Sequence, residues 1–208
     1  MFNISTFQNN IARYGYLNED KFDVYITPPP FMKDNMLFLK NLTNTIDYNN
    51  ITNTLRFRVF KVTTPSVDII TTNVNHFGIG PKQKNPTTAG FDDIEISFLS
   101  DGYGNLYQFF YQWMRGVFEF STETSAINGQ NYPNYTKRYK DDVGTRIQIV
   151  NYDTFGNPMQ TSILNSAYPV LLQKKELNWD NKNLLKIDIS LTYSDWFIEG
   201  STLTTANT

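Results

Sequence analysis

Two stretches of this chain alternate apolar and polar residues with a period of two, and such a chain must build half-buried strands. In residues 91–99, Ile94, Ile96 and Phe98 fall on one side and Asp93, Glu95 and Ser97 on the other. In residues 184–193, Ile187, Ile189, Leu191 and Tyr193 oppose Lys186, Asp188, Ser190 and Thr192. Further strands are expected at 22–26, 55–62, 67–74, 145–151, 159–164 and 170–178. In 55–62 the pattern sets Leu55, Phe57 and Val59 on one face, with Arg56, Arg58, Phe60 and Val62 on the other. Pro28, Pro29 and Pro30 end the first strand because proline donates nothing to a ladder. Ser166–Pro169 reads as a bend between the strands on either side of it.

Helical spacing is rarer. Leu106, Phe109, Phe110, Trp113, Met114 and Val117 recur at three and four, which predicts one long helix with Asn105 as its cap. Its aromatic stripe is expected to be core, not the lining of a cavity. Phe7, Ile11 and Tyr14 predict a short N-terminal helix between residues 5 and 16. No strand–helix–strand alternation and no repeat of fixed period occurs. The fold class is therefore mainly β with some α. We expect an antiparallel β-sandwich or open barrel, flanked by one long helix and a short N-terminal helix. Residues 1–208 form a single domain, with insertions at about 28–53 and 129–142. The first insertion reads as a loop or surface flap. The second is a tyrosine-rich loop. Residues 76–89 read as a long hairpin arm or loop, and the Thr-rich tail from about residue 200 is expected to be disordered in isolation.

The chemistry of the side chains excludes more than it offers. The 208 residues contain no cysteine and a single histidine, His76. Disulfides, thiolate metal sites and paired-imidazole sites are thereby excluded. Charged residues are 18% of the chain and the formal net charge is -2, unlike a domain that grips phosphates. No apolar run is long enough to span a membrane and no signal peptide is legible, so no membrane anchor is expected. Asp92, Asp93, Glu95 and Asp101 are the densest carboxylates, but no partner donors accompany them. Gly78–Pro81 is a turn signal without the remaining glycines of a phosphate loop. Lys137, Arg138 and Lys140 lie among tyrosines, yet Asp141 and Asp142 follow at once. These residues are read as solvated surface or loop contacts. No catalytic set, no metal site and no cofactor is expected, and the chain is read as not an enzyme.

The order of these elements resembles the tail tube proteins of long-tailed bacteriophages with contractile tails. The resemblance covers nearly the whole chain. It is carried by the N-terminal segment 7–13 leading to Phe22–Asp23–Val24–Tyr25–Ile26, and by the stretch 57–70 broken at Pro65. It is carried further by Phe91–Asp92–Asp93 running through Asp101 into the helix with Trp113. Last come Ala167–Tyr168–Pro169, Leu177–Asn178–Trp179–Asp180, and the closing strand with Tyr193 and Trp196. The chain departs from the pattern in its two insertions.

The resemblance implies a structural virion protein of the tail, assembled in the host cytoplasm. Hexameric rings would stack into a tube, each subunit lending strands to one inner barrel, and DNA would leave the capsid through it without specific binding. It implies tail sheath, baseplate and tape-measure proteins as partners. A baseplate tube initiator and a type VI secretion tube protein share the building plan. An unrelated ligand-binding β-sandwich is the alternative from a different class. Under the tube reading, Asp93, Glu95, Ser97, Lys186, Asp188, Ser190 and Thr192 are the candidates to face the lumen, a net acidic set. The arm with His76, Lys82 and Lys84 is the candidate to join adjacent rings.

Overall fold

A computed structural model describes residues 17–34, 48–75, 82–118, 137–175 and 184–200, with residues 4, 78 and 178. The expected N-terminal helix, most of the tyrosine-rich loop and the tail beyond residue 200 lie outside the described residues, as does His76. The described elements are β1 (Leu17–Ile26), α1 (Pro30–Asp34), α2 (Tyr48–Arg58), β2 (Val59–Val62), β3 (Asp68–Val74), β4 (Gln83–Gly90), β5 (Ile94–Leu99), α3 (Asn105–Val117), α4 (Lys140–Val143), β6 (Thr145–Asp153), β7 (Pro158–Leu172), β8 (Lys186–Thr192) and β9 (Asp195–Gly200).

All strand pairs are antiparallel. The path β1-β6-β7-β8-β5-β2 carries β9 as a further partner of β7, and β3 pairs with β4 separately. Strand β7 belongs to two sheets. Its first half pairs with β6 and β9, its second half with β8. The change occurs at Ser166, whose φ of 50° is the expected bend, made inside one continuous strand. The partner bends at the same place: β8 ends at Thr192, β9 begins at Asp195, and the Ser194 N–H donates to the Asn165 carbonyl at 3.0 Å. One sheet is thus β1-β6-β7-β9 and the other β7-β8-β5-β2. They form an unclosed sandwich joined along the bent strands.

The core lies between the sheets. Val24, Ile26, Ile147, Ile149 and Leu164 enter it from one, and Ile94, Ile96, Phe98, Ile187, Ile189 and Leu191 from the other. Helix α3 adds Leu106, Phe109, Phe110 and Trp113, all buried. Phe110 contacts Phe98 at 5.1 Å between centroids and Trp113 at 6.2 Å, and the Trp113 Nε1–H donates to the Val143 carbonyl at 2.9 Å. The helical stripe is core, as its spacing required.

Three sequence expectations are corrected. Residues 55–58 are not strand but the last turn of α2, and β2 is only four residues long. Leu55 is 0% exposed and Phe57 is 75% exposed, so these two residues do not share a face. A helix places Leu55 and Val59 together four residues apart, and both pack on the core. Burial of Leu55 overrides the strand propensity of Phe57. Part of the insertion read as a flap is therefore this helix and α1. Asn105 does not cap α3. Gly104, with φ 70°, precedes the helix, and the Asp101 carboxylate accepts the Leu106 N–H at 3.3 Å. Finally, the closing strand does not run unbroken through Tyr193 to Trp196: β8 ends at Thr192 and β9 begins at Asp195.

Candidate assembly surfaces

Alternation places one row of β5 and one row of β8 away from the core. Glu95 pairs with Ser190, Ser97 with Asp188 and Leu99 with Lys186. Thr192 follows two residues after Ser190 and shares its side. The tertiary structure thus gathers Glu95, Ser97, Lys186, Asp188, Ser190 and Thr192 on one face. Asp93 is exposed but precedes β5. Ser190 is 7% exposed despite its outward position, flanked in register by Glu95 and Leu171.

The charge of this face differs from the acidic balance expected of it. The Lys175 ammonium pairs with the Asp188 carboxylate. That hydrogen bond, helped by one from Ser97, holds Asp188 below the usual carboxylate range. Lys186 lies over the Phe60 ring at 3.7 Å. A register shift between Val59 and Lys61 turns Lys61 to the same side, opposite Ser97. Glu95 and Asp188 therefore share this face with Lys61, Lys175 and Lys186. Lys61 and Lys175 were invisible to the sequence reading. One depended on a bulge, the other on a reach from beyond the end of β7.

The second surface is the hairpin. The β3–β4 ladder runs from Asp68 opposite Gly90 to Val74 opposite Gln83. All of β3 and all of β4 before Gly90 is exposed. Val67, Ile69, Ile70 and Val74 are apolar and exposed, Ile69 at 59%. Lys82 and Lys84 are exposed on the returning leg, Lys84 opposite Asn73. The expected arm is a two-stranded ribbon, longer than 76–89 because β3 forms one of its legs. Its base is tied down. Thr63 Oγ accepts the Glu95 N–H at 2.7 Å, Ser66 Oγ donates to Asp92 at 3.2 Å, and the Phe91 and Tyr193 rings meet at 5.9 Å.

The third feature is a cluster at the outer side of β1. The Asp23 carboxylate accepts Arg56 Nε at 3.1 Å, a second bond from the same guanidinium, and the Tyr152 hydroxyl at 3.1 Å. Arg56 also lies over the Tyr25 ring at 4.6 Å. Burial, then hydrogen bonds to Tyr25 and Asp23, push the Tyr152 phenol up to about 12. Elsewhere, Arg138 lies over the Phe31 ring at 5.3 Å and Tyr139 is fully displayed before α4. Among the described residues no three His, Asp or Glu side chains converge as a metal site. No described helix is long and apolar enough to cross a membrane.

Residues 17–199, spanning β1 through β9, match the family model described as "Phage tail tube protein". The chain belongs to the phage tail tube protein family. Its fold is similar to solved structures of contractile injection systems. A chain in the cryo-EM structure of the anti-feeding prophage baseplate, 6-fold symmetrised, shares 15% identity at a TM-score of 0.55, with 88% of this chain and 95% of that one covered. A chain in the sheath–tube complex of the PVC extracellular contractile injection system, in the extended state, shares 13% identity at a TM-score of 0.54, covering 92% and 97%. A chain of the anti-feeding prophage tube-terminating cap shares 12% identity at 0.56, covering 89% and 92%. No curated protein sequence matches the chain. The tail tube family places this protein among structural tail components.

Proposed function

We propose that this tail tube family member polymerises as hexameric rings stacked into the tube of a contractile tail, through which DNA is ejected. The observation that carries the proposal is the hairpin: two strands exposed on both faces, with Ile69, Ile70 and Val74 in water. An isolated two-stranded ribbon is marginal in water and gains its stability by packing on something else. A neighbouring ring supplies that surface. Six-fold order is supported by the 6-fold symmetrised baseplate that holds a chain of the same fold. Sheath and baseplate contacts are supported by the sheath–tube and baseplate complexes of the similar chains. A tape-measure protein in the lumen belongs to the same reading.

The sheet β7-β8-β5-β2 is assigned to the inner barrel. Among the described strands its rims, β2 and residues 168–172 of β7, each have one side without a partner, and pairing one rim with the other of the next subunit removes both edges. Its outward face, with Glu95, Ser97, Lys186, Asp188, Ser190 and Thr192, would then line the channel. Charges of both signs on that face neither hold nor strongly repel a passing phosphate backbone. The near-neutral balance replaces the acidic lumen expected from the sequence.

The test is deletion of 69–89 with a Gly–Gly closure, imaged by electron microscopy beside the full chain. The full chain should give six-fold rings and tubes, with a baseplate nucleus if needed. The deletion should stay folded and fail to elongate. Normal tubes from the deletion would refute the role of the arm, and a full chain that never forms rings would refute the function.

A further inference from the structure

Among the described residues, strand β1 has β6 on one side and no strand on the other. Helix α2 lies along that other side, because consecutive residues of its last turn reach opposite faces of β1. Leu55 is buried in the core cluster with Val24 and Ile26. Arg56 bonds Asp23, which alternation puts on the outer face with Tyr25. A helix that touches both faces of an edge strand straddles its edge. It also leads directly into β2, the rim of the other sheet, and Arg58 donates to the Ser100 carbonyl at the end of β5 at 3.2 Å. The helix therefore closes the side of the sandwich opposite the bent strands.

We propose that α2 is an edge guard, held by the Arg56–Asp23–Tyr152 clamp, that denies β1 to strands of a second copy and so confines pairing between subunits to the other sheet. The proposal rests on the tube reading for which pairing is productive, but the guard itself is a property of the single subunit. An uncovered edge strand presents a row of unpaired N–H and C=O groups, and the partner most available to it is the same strand of another copy. Identical β1 edges can pair antiparallel about a two-fold axis, which is incompatible with a ring built from head-to-tail contacts. The clamp is strong for a surface feature. One carboxylate collects two bonds from a guanidinium and one each from the Tyr152 and Tyr25 hydroxyls, and the guanidinium also stacks on Tyr25. Burial of Leu55 anchors the other side of the edge. Neither contact depends on the hairpin.

The test uses full-length Arg56→Ala, the isosteric Asp23→Asn and the conservative Arg56→Lys. Amide hydrogen exchange is measured on dilute monomer, followed by sedimentation at rising concentration. In Arg56→Ala and Asp23→Asn, exchange in 48–58 and 17–26 should rise at least about tenfold while 94–99 and 186–192 keep their protection. Dimers and irregular aggregates should appear at concentrations where the parent chain gives monomer or tubes. Arg56→Lys should restore part of both. Unchanged exchange in 48–58 in both clamp variants overturns the clamp. Raised exchange with no new association overturns the guard. A parent chain that shows the guard but never makes tubes would refute the tube reading alone.

Discussion

The single carboxylate of Asp188 shows how a local bond sets a pH response. Its pKa is lowered in the folded state, chiefly by Lys175 and next by Ser97. A lowered folded pKa means stability that is present above the unfolded value and lost as pH falls through the folded one. Acid unfolding of the parent should therefore be shifted relative to Lys175→Ala, with the two converging at low pH. The difference at pH 7 should be small, ~0.5 kcal/mol, because the pair is partly solvated. A Lys175→Ala loss that persists undiminished at low pH would contradict the pairing. Tyr152 has the opposite sign. Its pKa is raised to about 12, so its contribution is complete below the ordinary phenol range and is lost as pH rises toward 12. Spectroscopic titration should show a phenol ionising near pH 12, and Tyr152→Phe should remove that step. Trp113 belongs at this scale too. Buried completely and bonded to the Val143 carbonyl, it should cost roughly 3–5 kcal/mol when replaced by Ala. A loss under about 1 kcal/mol in denaturant titration would show it to be exposed.

At the scale of elements, α3 and α1 are locked by a missing side chain. A Cβ on Gly116 would lie 2.0 Å from Cζ of the Phe31 ring. Alanine in place of a helical glycine ordinarily stabilises by up to ~1 kcal/mol. Here overpacking should win, and Gly116→Ala should destabilise by roughly 1–3 kcal/mol. Phe31→Ala should cost less in the Gly116→Ala background than in the parent, a coupling that a double-mutant cycle measures directly. Independent, additive effects would show that the helices do not meet there. The same logic explains why the helix continues through this glycine. The residue is tolerated because the space is already filled.

For the whole molecule, the consequential feature is which face and which edges are left over. Two sheets share a core, α2 straddles one edge, and a ribbon stands apart from the body. Under the tube reading, a substitution on the β5–β8 outward face is repeated six times in every ring. Glu95→Lys with Asp188→Lys would leave only basic groups among the charges gathered there. DNA passage should then slow and become strongly salt-dependent, because each phosphate contact adds salt-sensitive affinity. Ejection followed at low and high salt checks this. An unchanged, salt-independent rate in assembled tubes would remove that face from the lumen.

What the sequence determined by itself was everything that depends on period. Ile94, Ile96 and Phe98, then Ile187, Ile189 and Leu191, declared their strands and their buried side, and the Phe109–Trp113 stripe declared its helix. Alternation alone also grouped Glu95, Ser97, Asp188 and Ser190 as opposite to the core. What it could not decide was anything requiring a partner distant in the chain. The run from Leu55 to Val62 satisfies period two and, at Leu55 and Val59, also the helical step of four. Only the space beside β1, together with the bond from Arg56 to Asp23, selects the helix. The bend at Ser166 was legible as a bend but not as a single strand serving two sheets, because that requires β8 and β9 to turn beside it. The charge of the outward face depends on distant partners for the same reason. Lys61 arrives through a bulge and Lys175 through a long side chain, so both join the face only in three dimensions.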